Sequence, residues 1–396
     1  MATNTGYKVN TDGLIFAFDI GDVVNSYKGA PTDNKLITVA GTTAGFTPWT
    51  VNGTNVDVTG TSEVGPIKDS STWKFIKNGS SSQWNGWEAS YGGIWTGAAG
   101  DIWTTSYWYK TTAPAGVTNF GIGGFYTPDW SRAYNYTILA DRNTIIADGT
   151  WRYNYTTTRI NESYSNAIIV DGPSWGYSTS AGIMYINGLQ WEKKSYPTAF
   201  APGVRSVTQG LMNLQPTSPV TMDLTNATYD GVGNLYFDGT TGCIDLSTTG
   251  LITGNNPFTI EATYYTAATD SGGRAIITNY GSGNTSNTIW FATHGFWLNG
   301  AAPYHIGAPL TNGTYHTSVT RDTPGNVRLY KNGVLETTGT STSSVTTGQN
   351  WRIGKDVNGN GEPFNGRIYQ IKVYNRVLSA DQIYNNYLLA KYRYGV

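Results

Sequence analysis

The chain has 396 residues, enough for two domains at about 100–200 residues each. It carries 25 Lys+Arg against 26 Asp+Glu, a net charge of -1, and only 13% of its residues are charged. The missing basic excess argues against nucleic acid as a partner, 39% apolar residues argue against wholesale disorder, and no apolar run approaches the length of a membrane span.

What polarity the surface has comes from hydroxyls and amides: there are 57 Thr and 49 Gly, with 28 Tyr, 14 Trp and 12 Phe. The start, Met1 to Gly6, has neither a basic patch nor an apolar stretch, so no signal peptide is visible. Cys243 stands alone, which leaves no internal disulfide and no multi-cysteine metal site.

In chain order, the periodicity is that of strands. Leu14-Ile15-Phe16-Ala17-Phe18 is a compact apolar run. Ile183 to Ile186, then Asn187-Gly188, then Leu189-Gln190-Trp191 reads as a hairpin, because Asn-Gly suits a turn with positive φ at both central residues. Leu235-Tyr236-Phe237 precedes a turn at Asp238-Gly239. Phe258 to Tyr264 alternates apolar with polar, as a half-buried strand does. Val327 to Lys331 and Val334-Leu335-Glu336 flank Asn332-Gly333, a second hairpin signal. At the C-terminus Ser379 and Gln382 have capping-box spacing, and Ile383, Tyr387 and Ala390 share one helical face. The fold class is therefore all-β: two antiparallel β-sandwiches and one short C-terminal helix, with the jelly-roll form added by the resemblance that follows.

The C-terminal half resembles the laminin-G-like, concanavalin A-type jelly rolls of bacterial and phage surface proteins. The resemblance rests on Leu235 to Gly239, Phe258 to Ala262, Tyr315 to Thr320 and Leu329 to Gly333. Its closing piece is Phe364 to Tyr369, Val373 to Arg376, Leu378-Ser379, Ile383 and Asn386-Tyr387. The tail, Lys391 to Gly395, is similar to tailed-phage members. Asp12 to Asp19, with Asn25-Ser26-Tyr27, resembles the first strand of the same family, although about 200 residues separate it from the rest, room for a further domain. The expected organisation is a discontinuous jelly roll, residues 1–30 plus 206–396, with residues 31–205 inserted. The insert resembles carbohydrate-binding-module sandwiches at Asp101 to Tyr109, Gln190-Trp191-Glu192 and Tyr196 to Gly203.

Catalytic signals are sparse. Jelly-roll glucanases carry a Glu-x-Asp-x-x-Glu run, which is absent, and Glu261 has no acidic neighbour two residues away. Gly172-Pro173-Ser174-Trp175-Gly176 matches a nucleophile elbow in letters, but no helix start follows, so it reads as a Gly/Pro turn. Asp356, Asn358 and Asn360 open like a calcium loop, with Glu362 as a further carboxylate, but Arg367 stands where the closing Glu belongs. The competing reading is an Asn/Gly hairpin loop, and no other cofactor is expected. His294, His305 and His316 have no metal-ligand spacing and read as ordinary polar residues.

Aromatics are the best binding candidates, because sugar rings stack on flat aromatic faces while amides hold their edges. Trp84, Trp87, Trp130 and Trp175 lie in loop-like sequence flanked by Gln83, Asn85 and Asp129. Trp103 and Trp108 read as strand and core, the commoner fate of a large aromatic.

The resemblance implies a non-enzymatic structural protein on a tailed-bacteriophage virion surface. It would be a capsid decoration protein or fibre-like appendage, made in the host cytoplasm, touching other virion proteins and binding glycans weakly. The alternatives are a bacterial surface lectin or adhesin and a polysaccharide-degrading enzyme. Neither nucleic acid nor membrane insertion is expected; a homo-oligomer is allowed, without coiled-coil heptads to support it.

Overall fold

The computed structural model describes residues 10–34, 49–52, 56–68, 70, 72–77, 85–89, 95–112, 119–126, 134–141, 145–176, 182–215, 217–218, 220–230, 233–267, 273–280, 288–293, 295–298, 305–306, 310–323, 325–346, 350–356 and 363–396. The chain divides into two compact units: Met1–Pro31 with Ser206–Val396 (unit 1), and Thr32–Arg205 (unit 2). Strands are numbered along the chain.

Unit 1 has two antiparallel sheets. The eight-stranded sheet runs β16 (Thr228–Tyr229), β17 (Leu235–Asp238), β28 (Asn365–Tyr374), β19 (Phe258–Thr266), β24 (Gly313–Arg321), β25 (Asn326–Lys331) and β26 (Val334–Thr340). Its eighth strand, β1 (Leu14–Asp19), also pairs with β28, with Phe18 opposite Ile371. The seven-stranded sheet runs β15 (Met222–Asp223), β18 (Ile244–Leu246), β27 (Trp351–Ile353), β20 (Ala275–Thr278), β21 (Ile289–Ala292), β22 (Gly295–Leu298) and β23 (His305–Ile306). Alternation sends Phe16, Phe18, Ile260, Val319 and Ile371 of the first sheet against Met222, Ile244, Ile277, Phe291 and Trp351 of the second, one continuous core.

Asn332 (φ 48°) and Gly333 (φ 77°) form the tight turn between β25 and β26 that their sequence predicts. The C-terminal helix spans Ala380–Tyr394. Both halves of the capping box form between Ser379 and Gln382, and Gly395 closes the other end at φ 68°. Two expectations need correction here. The helix buries Ile383, Asn386 and Ala390, with Tyr387 only half-buried. Strand β19 is buried on both faces rather than one, because Asn386 of the helix reaches its polar side at Glu261.

In unit 2 the six-stranded sheet runs β10 (Tyr136–Asp141), β11 (Arg152–Ile160), β8 (Ile102–Thr111), β13 (Gly182–Glu192), β5 (Thr72–Lys77) and β4 (Val56–Gly60). The second sheet runs β3 (Trp49–Asn52), β6 (Asn85–Ala89), β12 (Tyr164–Gly176) and β7 (Trp95–Gly97), with β9 (Asn119–Tyr126) also paired to β12. Phe75, Tyr107, Tyr109, Met184 and Ile186 form a core cluster. Trp103 stacks on Trp191 at 4.2 Å, and its indole N–H donates to the Tyr164 hydroxyl at 2.9 Å. The unit opens and closes on a short ladder, β2 (Thr32–Asp33) against β14 (Val204–Arg205). Buried Glu192 ties this neck together, accepting from the Thr198 N–H at 2.7 Å, Gln190 at 2.8 Å and the Thr32 hydroxyl.

Two further sequence readings change in unit 2. Asn187-Gly188 is not a hairpin turn: β13 runs through it with a register shift against β8. The Asn187 side chain is buried and holds the preceding loop, accepting from Ile67 N–H at 2.8 Å and donating to the Ser70 carbonyl at 3.0 Å. That anchoring makes the pair a bulge, with Gly188 at φ 64° supplying the extra residue. Gly172 to Gly176 is not a turn either, since it lies within β12, with Pro173 opposite Phe120 of β9. No helix among the described residues is long and apolar enough to cross a membrane.

Candidate functional site

The seven-stranded sheet of unit 1 carries a row turned away from its core, half-buried except at Thr278, which is fully buried. Asp223, Asp245, Arg352, Thr278, Trp290 and Trp297 are successive register partners across six strands. Their chain neighbours Ile244, Leu246, Ile353, Ile277, Phe291 and Phe296 point into the core, so strand alternation turns the row the other way. At about 4.8 Å between strands, the distance from Asp223 to Trp297 is about 24 Å.

One end of the row is aromatic. The Trp290 and Trp297 ring centroids lie 5.9 Å apart at 63°, and Tyr280 lies 5.7 Å from Trp297 at 38°. Thr278 positions this group: its hydroxyl donates to the Ile289 carbonyl at 2.8 Å and accepts from the Tyr280 N–H at 2.9 Å. All three rings are half-buried, fixed by packing yet still reached by solvent.

The other end is polar. Arg352 Nε donates to Asp245 Oδ1 at 2.6 Å, and Nη1 donates to the Asp356 carbonyl at 3.1 Å. Partial burial works against the guanidinium charge, but the bond and attraction to Asp245 outweigh it, and the Arg352 pKa is raised. Asp223 accepts from the Thr225 N–H at 2.8 Å and its hydroxyl at 2.6 Å. Asp223 and Asp245 face each other across β15 and β18. Both carboxylates accept from polar donors, Asp223 from Thr225 and Asp245 from the Arg352 guanidinium.

Among the described residues, several other titratable groups are buried. A cleft of about 300 Å³ at the end of β18, lined by Ile15, Ser218, Val220, Ser247, Thr248, Gly250 and Leu251, contains no titratable side chain. Glu261 is buried under the helix, where desolvation raises its pKa against the pull of Lys372 and hydrogen bonds from Asn386 and Ser318. His316, read from sequence as an ordinary polar residue, is 1% exposed and lies 3.9 Å from Glu261. Burial, reinforced by Lys372, pushes its pKa down to about 3. Cys243 is also buried, and desolvation raises its thiol pKa.

Of the residues singled out by sequence, Trp84, Trp130, Gln83 and Asp129 lie outside the described residues, as does His294. Trp87 and Asn85 belong to β6 and Trp175 to neighbouring β12, so these three are strand residues rather than loop residues. Their side chains, and that of His305, are not described. The backbone pairing of Trp87 with Val51 shows why the loop reading fails: aromatic and β-branched residues suit a paired strand. Asp356 is 2% exposed, and its Oδ1 has no hydrogen-bond partner among the described residues. A buried carboxylate oxygen left over in this way fits a cation ligand. Asn358, Asn360 and Glu362 lie outside the described residues, among which no cluster of three His, Cys, Asp or Glu forms.

The aromatic row escaped the sequence reading, although a signal was present. Trp290, Trp297, Asp245 and Arg352 are each the middle of an apolar-x-apolar triplet, the pattern that turns one side chain away from a core.

One family model matches part of the chain. Residues 237–384 match the family described as the Concanavalin A-like lectin/glucanases superfamily. The match falls within unit 1, whose two antiparallel sheets have the jelly-roll form. The matched stretch contains Asp245, Tyr280, Trp290, Trp297 and Arg352. Among solved structures, the chain is similar to domain 4 of AbnA, a GH43 extracellular arabinanase from Geobacillus stearothermophilus, in complex with arabinotriose. Identity is 20% over 46% of this chain and 92% of that one, with a TM-score of 0.33. The CBM40 of a Ruminococcus gnavus sialidase is similar at 20% identity over 33% of this chain and 82% of its own, TM-score 0.29. The receptor binding domain of botulinum neurotoxin type G is similar at 14% identity over 46% and 50%, TM-score 0.35. No curated protein sequence matches the chain.

Proposed function

We propose that this chain is a non-enzymatic glycan-binding protein whose unit 1 holds saccharide on the outward face of the seven-stranded sheet. The observation that carries the reading is the Tyr280–Trp297–Trp290 group beside the Arg352–Asp245 pair. Aromatic faces take the apolar face of a sugar ring, and the fixed guanidinium and carboxylate bond its hydroxyls. The family match to lectins and glucanases supports the ligand class. A glycan array at high protein density, followed by calorimetry with the best ligand, tests it. Binding lost in Trp290→Ala and Trp297→Ala sustains the proposal, and silence of the intact protein on the array ends it. Release of reducing ends from a bound polysaccharide would instead make the protein a polysaccharide-degrading enzyme.

The setting we propose is the surface of a tailed-phage virion, as a capsid decoration protein or fibre-like appendage. Its support is the resemblance carried by Phe364 to Tyr387 and by the Lys391 to Gly395 tail. Many copies on one particle would turn weak single-site binding into avidity. Immunogold labelling of purified particles tests this. Label confined to a bacterial envelope would favour the surface lectin or adhesin.

Calcium is a further part of the proposal, with Asp356 as the described ligand and Asn358, Asn360 and Glu362 as its sequence companions. Calcium should raise the melting temperature of the intact chain and not of Asp356→Asn. Equal melting of both with and without the ion would remove it.

A further inference from the structure

The six-stranded sheet of unit 2 has a solvent-side face of its own. Tyr107, Tyr109, Met184 and Ile186 point into the core, so Trp108, Lys110 and Tyr185 point away from it. Register places Tyr153 opposite Trp108, and places Tyr185 between Lys110 on one side and Lys74 on the other. The Trp108 and Tyr153 rings lie 5.3 Å apart at 53°, and the Lys110 ammonium lies 5.8 Å from the Tyr185 ring centroid. These side chains are half-buried, so the surface is firm and open.

Two features point to a ligand and to its charge. The Trp108 indole N–H has no acceptor among the described residues, although the ring is packed. The only acid bonded to the two lysines among the described residues is Glu63, 2.7 Å from Lys110, which leaves Lys74 without an ion pair. The face therefore combines a stacking surface, a free donor and an uncompensated cation.

We propose that this face binds acidic saccharide chains, with a sugar ring on Trp108 and Tyr153 and its carboxylate or sulfate held at Lys74. This site lies in unit 2 and does not depend on the saccharide face proposed for unit 1. The test is calorimetry of the full chain with polygalacturonate, its methyl-esterified form, dextran sulfate and dextran. The acidic polymers should bind at least tenfold more tightly than their neutral counterparts, and the difference should shrink as salt rises. Whichever acidic polymer binds better identifies carboxylate or sulfate as the preferred group. Lys74→Gln, a half-exposed change that leaves the core alone, should weaken acidic binding at least fivefold. Trp108→Ala should do the same, and Trp108→Phe, which keeps the stacking face but not the N–H donor, should restore only part of it. Lys74→Gln should leave binding of the unit 1 array ligand unchanged, which separates the two sites. Equal affinity for acidic and neutral polymers, or full affinity in folded Lys74→Gln, overturns the proposal.

Discussion

Trp290 and Trp297 sit directly opposite each other on β21 and β22, their ring centroids 5.9 Å apart and their planes at 63°. Neither ring belongs to the core, yet both are held by the strands beneath them. Trp297 also packs against Tyr280, so it is the centre of the group. Trp297→Ala is expected to weaken saccharide binding by at least tenfold, about 1.4 kcal/mol or more, as truncation of a central aromatic contact does. Trp297→Phe should recover part of that loss. Calorimetry, with melting curves confirming the fold, checks both.

Asn386 anchors the helix to the sheet through polar bonds. Its amide donates to Glu261 Oε2 at 2.7 Å and to the Tyr374 hydroxyl at 3.3 Å, with 1% of the residue exposed. Asn386→Ala strands these buried acceptors and should cost about 1–3 kcal/mol. Asn386→Asp should cost more, because it sets a carboxylate against Glu261 in a buried site. Urea unfolding of the three proteins gives the order.

Acid should destabilise unit 1 through His316. Its folded pKa is lowered to about 3 from 6.5, so between those values the unfolded chain binds the extra proton. The His316 contribution is full above pH 6.5 and is lost as pH falls towards 3, with a slope of up to about 1.4 kcal/mol per unit. Glu261, raised from 4.5, works oppositely: its contribution is full below 4.5 and fades as pH rises through its folded value. Lys372 on β28 and the Tyr387 ring 6.2 Å away complete the surroundings. His316→Leu should match or exceed wild-type stability at pH 8, since both ring nitrogens lack hydrogen-bond partners among the described residues. Its advantage should widen as pH drops from 6 to 4. A constant difference across that range would show that His316 does not titrate on unfolding.

Gly366 and Gly254 both have positive φ but should respond differently to alanine. At Gly366 (φ 140°) an added Cβ would lie 2.0 Å from the Tyr265 carbonyl oxygen, so the β19–β28 pairing cannot hold. At Gly254 (φ 63°) nothing lies within 4 Å, leaving only the left-handed strain of about 1–2 kcal/mol. Gly366→Ala is expected to yield no folded protein, and Gly254→Ala a folded protein with a modestly lower melting temperature. Circular dichroism distinguishes them.

The sequence by itself determined the elements whose causes are local. A compact apolar run marked β1, alternation marked β19, the Ser379–Gln382 capping box started the helix, and Asn332-Gly333 marked the turn that ends β25, because each depends on residues a few positions apart. The all-β class followed from these. Tertiary structure decided everything that depends on distant neighbours. Asn187-Gly188 carries the same letters as Asn332-Gly333, yet it is a bulge because Ile67 and Ser70 claim the Asn187 amide. His316 reads as an ordinary polar residue until Glu261, Lys372 and the helix bury it. The tryptophans chosen from loop-like sequence include two that are strand residues, Trp87 and Trp175. The outward aromatic row joins residues from Asp223 to Arg352 that become neighbours only when six strands align. Alternation tells which side chains share a face, but what covers that face is set by parts of the chain that local pattern does not reach.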